Sequence, residues 1–186
     1  MSRFVDRGAV VAALVGFGMA VTIAVSFLLV IPIEPVYWYL TIPAGLLIGY
    51  YANARSLRAG EWVRTFIGAA FAALVTGVTF SVLLLGTKAL FFAADDGFRD
   101  PGLGGRITCQ TGADCVYQRY LEGQGDALTK AGVTDAASFS TFYWGQQWST
   151  AGSLVMVTTA AGLVGGGLYG LTRGRRRPDG ATEPAA

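Results

Sequence analysis

The side chains in this sequence that could do chemistry are few and scattered. Two cysteines, Cys109 and Cys115, are separated by five residues; Asp95, Asp96 and Asp100 crowd one turn-rich stretch; Lys88 and Glu34 border apolar runs; histidine is absent. The cysteine spacing predicts a structural disulfide. A redox pair is better served by Cys-x-x-Cys beside a group that lowers a thiol pKa, and neither a second pair nor a neighbouring His or Lys is present. The aspartates lack the D-x-[DN]-x-[DN]-G spacing and distal glutamate of a calcium loop, so no metal is expected. No serine or cysteine is paired in sequence with a recognisable base and no glycine loop could cradle a phosphate. The chain therefore predicts neither catalytic residues nor a cofactor, and reads as a non-enzyme.

The elements that must position these groups are apolar. The sequence is 53% hydrophobic over 186 residues, which leaves too little polar chain for a separate soluble domain of ordinary size. Four stretches come near the roughly 20 residues that cross a hydrocarbon core: 8–31, 36–53, 65–92 and 149–171. The expected fold is an all-α integral membrane protein, a four-transmembrane-helix bundle occupying residues 1–172. Its extracytoplasmic loop, 93–148, is partly helical, and 173–186 form a basic, disordered cytoplasmic tail. The first stretch exceeds a typical signal-peptide core and is followed by Ile31-Pro32-Ile33-Glu34-Pro35 with no small-x-small cleavage site, which predicts a retained anchor.

Charge orients these spans. Arg3, Arg7, Arg55, Arg58, Arg64, Arg173, Arg175, Arg176 and Arg177 fall on one face, and Lys88, Arg99, Arg106, Arg119 and Lys130 on the other. Nine basic residues less four acidic give +5 on the first face, and five less eight give −3 on the second. The positive-inside rule then puts both termini in the cytoplasm of a multi-pass plasma (inner) membrane protein, and both cysteines in the compartment that permits disulfides. Basic residues beside the headgroups predict contact with membrane lipids; nucleic acid is not an expected partner.

Packing is written in small residues at four-residue spacing. Gly8, Ala12, Gly16 and Ala20 share a face of the first span, and Gly162, Gly166 and Gly170 a face of the fourth. In lipid, such faces let backbones approach where hydrophobicity gives little drive. Gly165 and Gly167 widen the fourth ridge, which makes it a candidate contact for another subunit or a second copy. The second span is short between its aromatic ends and carries Pro43, which predicts a kink.

In the outer loop, Asp114 is expected to cap a helix from Cys115 towards Ala131 with Val116, Tyr117, Tyr120, Leu121, Gln124 and Leu128 on one side, ended by Gly132. Thr134 or Asp135 would cap a second helix running into the fourth span. Phe139, Phe142, Tyr143, Trp144 and Trp148 form an aromatic segment suited to an interfacial belt or a partner surface. Ionisable groups are missing from mid-span, where transporters and proton relays place them. The expected function is an accessory or scaffold subunit of a membrane complex. A passive pore or carrier for a small neutral or lipid-like solute is the alternative, and membrane thiol-disulfide redox the third.

Overall fold

A computed structural model describes the backbone of residues 5–29, 34–56, 62–94, 109 and 111–173, with the side chains of all but 26–29, 34–38 and 173. The described residues form five helices and no strand: α1 (Arg7–Leu29), α2 (Glu34–Ala54), α3 (Trp62–Ala94), α4 (Ala113–Lys130) and α5 (Ala136–Arg173). Three helices, α1, α3 and α5, are long and apolar enough to cross a membrane. At 21 residues α2 extends beyond both of its aromatic clusters, to about 31 Å at 1.5 Å per residue. The helix continues through Pro43, which lies on its exposed side.

The chain divides into two compact units, one comprising residues up to Phe80 and from Leu154 onward, the other Ser81–Ser153. Small side chains build the first. Ala12, Ala13, Ile48, Ala52 and Ala72 form its buried cluster, with Met19, Tyr51, Phe71 and Val75 packed around it. The helices approach until backbone meets backbone. A side-chain carbon at Gly49 would collide with the carbonyl of Gly162, and one at Gly165 with that of Leu46. Threonine hydroxyls turn back on their own helices. Thr76, Thr79, Thr158 and Thr159 each donate to the carbonyl four residues earlier at 2.6–2.8 Å, so each satisfies itself without a partner helix.

The second unit is built from large side chains. Leu128, Val133, Phe139 and Tyr143 are buried together, with Phe92, Val116, Tyr117, Tyr120, Phe142 and Trp144 packed against them. Within it Ser81 Oγ of α3 donates to the Ala151 carbonyl of α5 at 2.8 Å.

Candidate functional site

The Ser81–Ser153 unit holds both cysteines and the aromatic segment, and its assembly can be followed from the cross-link onward. Cys109 and Cys115 form a disulfide with Cα atoms 5.3 Å apart. Within the closed ring Gly112 adopts φ 131°, a conformation that favours glycine, and stands as the N-cap of α4 without any side-chain cap. The expected cap, Asp114, is instead inside the first turn. Its charge there complements the exposed amide groups of the helix start, but the start itself is held by the disulfide ring.

α4 meets α5 through rings. Phe139 lies 5.4 Å from Tyr117, 5.2 Å from Tyr120 and 5.8 Å from Tyr143 between centroids, and Phe92 lies 5.0 Å from Tyr143 and 5.5 Å from Trp144. Leu121 and Gln124, expected on the same face of α4, are exposed. At Gln124, between Gly123 and Gly125, the helix is broken, with φ −140° and ψ 28°.

The turn between α4 and α5 is capped on both sides. Gly132 takes φ 73°, the Val133 amide donates to the Leu128 carbonyl at 3.0 Å, and Val133 is buried, which closes α4 as a Schellman-type end. Asp135, rather than Thr134, then caps α5. Its Oδ1 accepts the Ser138 amide and the Ser138 hydroxyl, both at 2.7 Å, while Ser138 Oγ accepts the Asp135 amide at 3.1 Å. The Ser138 amide foremost, and then its hydroxyl, hold the Asp135 carboxyl below its ordinary pKa.

The five aromatics of the outer segment therefore take different places. Phe139 and Tyr143 are core, at 0% and 4% exposure; Phe142 and Trp144 are half-buried against that core; Trp148 alone is open, at 65%. An accessible aromatic contact in this segment would have to be made chiefly by Trp148.

The packing glycines lie in the other unit. Gly8 abuts the backbone of Ala52 to Ser56, Gly16 lies under Thr76, and Ala12 and Ala20 are fully buried. Gly162 meets Ala73 and the α2 glycines, Gly166 meets Ala69, and Gly170 lies under the Trp62 ring. The α5 glycine ridge is thus occupied by α2 and α3 of the same chain.

Asn53 is a polar residue that sequence reasoning passed over as a span end. It is buried, and its Nδ2 donates to the carbonyls of Gly49 at 3.0 Å and Thr65 at 3.1 Å, which ties α2 to the start of α3. A lone amide within a turn of a span's end was the available signal.

Among the described residues no group of three or more His, Cys, Asp and Glu side chains could hold a metal ion; Asp95, Asp96 and Asp100 lie outside them. Lys88 is half-buried and engaged within the chain. No protein-family model matches this chain, and comparisons with curated proteins and with solved structures likewise find no match.

Proposed function

We propose that this is a four-span, non-enzymatic protein of the plasma (inner) membrane, both termini cytoplasmic, that serves as an accessory or scaffold subunit and recognises its partner through the Ser81–Ser153 unit. The observation that carries the reading is the construction and surface of that unit. It is separately cross-linked and capped, and it leaves Trp148, Leu121 and Leu90 exposed. Exposed apolar and aromatic groups suit protein contacts.

Several features support the span count. α2 is about as long as a hydrocarbon core is thick, and its Gly45 and Gly49 pack on α5. An even count puts both ends on one side, and the arginine bias makes that side cytoplasmic.

Purification in mild detergent followed by identification of co-migrating proteins tests the assignment. A stoichiometric membrane-protein companion is expected, and it should be lost on Trp148→Ala with Leu121→Ser. A clean monomer with no companion would count against it. A pore or carrier remains the second reading because Tyr39 and Pro43 lie on the exposed side of α2, where copies could enclose a path. Solute flux in liposomes that scales with a purified oligomer would favour it.

A further inference from the structure

We propose that the junction between the start of α1 and the end of α2 is a headgroup site for one anionic phospholipid, whose phosphate is held by the guanidinium groups of Arg7 and Arg55. The two arginines are forced together by the backbone. A side-chain carbon at Gly8 would lie 2.7 Å from the Arg55 carbonyl carbon and the Ser56 amide nitrogen, so the first turn of α1 rests directly on the last residues of α2. Both arginines are exposed, and Arg55 is steadied with its guanidinium carbon 5.5 Å from the centre of the Tyr51 ring.

The Asp6 carboxylate braces the same junction. Asp6 Oδ2 accepts the Ser56 hydroxyl at 2.5 Å and Oδ1 accepts the Arg7 amide at 2.7 Å, bonds that brace α1 against α2. Two exposed cations whose backbones meet at one junction call for an anion, and guanidinium forks suit phosphate oxygens. Apolar surface continues away from them, through Val11 and Leu14 on α1 and Leu47 on α2, as acyl chains require. A phosphate diester on two chains therefore fits better than a free anion. The inference goes beyond the accessory role and rests only on these helices lying in a bilayer.

The test is native mass spectrometry of the full-length protein released from nanodiscs of equal phosphatidylcholine and phosphatidylglycerol, which offer the same lipids at both faces and so do not depend on topology or on a partner. The wild type is expected to retain one phosphatidylglycerol. Arg7→Gln with Arg55→Gln should reduce that retention roughly 25-fold, at about fivefold per basic residue. Arg175→Gln, Arg176→Gln and Arg177→Gln together should leave it unchanged. Equal retention by the double variant, equal loss in the tail variant, or displacement by millimolar inorganic phosphate would each overturn the proposal. Should the glutamine pair fail to fold, Arg7→Lys with Arg55→Lys keeps the charge and removes the forks; retention should fall several-fold, and unchanged retention would overturn the site.

Discussion

The two units of this chain solve the same packing problem with opposite materials. One brings helices together over glycine and alanine until carbonyls touch Cα atoms; the other fills its centre with Phe139, Tyr143 and Leu128 and secures its turns with a disulfide and two caps. Each material suits a different solvent. Among lipid tails an apolar side chain gains little by moving from lipid to protein, so close backbone contact and van der Waals packing must hold the helices. In water, burying aromatic area supplies the drive and large side chains are the efficient choice. Neither device would serve well in the other's place.

That comparison can be broken most directly at Phe139. Phe139→Ala is expected to destabilise the Ser81–Ser153 unit by about 3–5 kcal/mol through the cavity it leaves. Hydrogen exchange should rise across 113–145 while amides near Gly162 remain protected; a uniform rise along the chain would mean the two units are one cooperative body. Gly49→Val tests the opposite material and is expected to cost about 3 kcal/mol, because the Gly162 carbonyl it meets is backbone and cannot rotate aside. Its control is Gly152→Ala, where nothing lies within 4 Å of the added carbon, and which should stay within about 0.5 kcal/mol in the same denaturation assay.

The disulfide is the next smaller lever. Cys109→Ser with Cys115→Ser opens a seven-residue ring and should cost about 2 kcal/mol on the chain-entropy model, read as faster exchange confined to the first turns of α4. Loss of a quinone- or thiol-dependent turnover in that variant would reassign the pair to redox chemistry. The smallest effect is at Asp135, whose folded pKa is lowered. Its capping contribution is fully present above the ordinary carboxylate range and is lost as pH falls through the folded pKa. Exchange at the Ser138 amide should accelerate on acidification below about pH 4, relative to its intrinsic rate, and Asp135→Asn should remove that acid step.

Much of the helical architecture was legible because membrane-length apolar runs and four-residue small ridges leave few alternatives. Gly132 and Asp135 were readable as turn chemistry, and the cysteine pair as a cross-link, since each depends on residues close in sequence. What escaped were consequences of long-range contact. Whether Gly162 and Gly166 face inward depends on Ala69, Ala73 and Gly49, about a hundred residues earlier, and no local pattern encodes that pairing. The burial within the aromatic segment has the same origin: Phe139 and Tyr143 become core because Tyr117 and Tyr120 arrive from α4. The cap at Asp114 failed because the glycine before it, inside a closed ring, begins the helix first.

The glycine contacts between α2 and α5 also set a timetable. The Ser81–Ser153 unit is one continuous stretch of sequence, whereas the other unit lacks its part of α5 until the residues from Leu154 onward have been made. Gly45 and Gly49 then wait while more than a hundred residues are added, roughly 5–20 s at about 5–20 residues per second. Throughout that interval the nascent chain carries in its second helix an open backbone groove that only α5 will close.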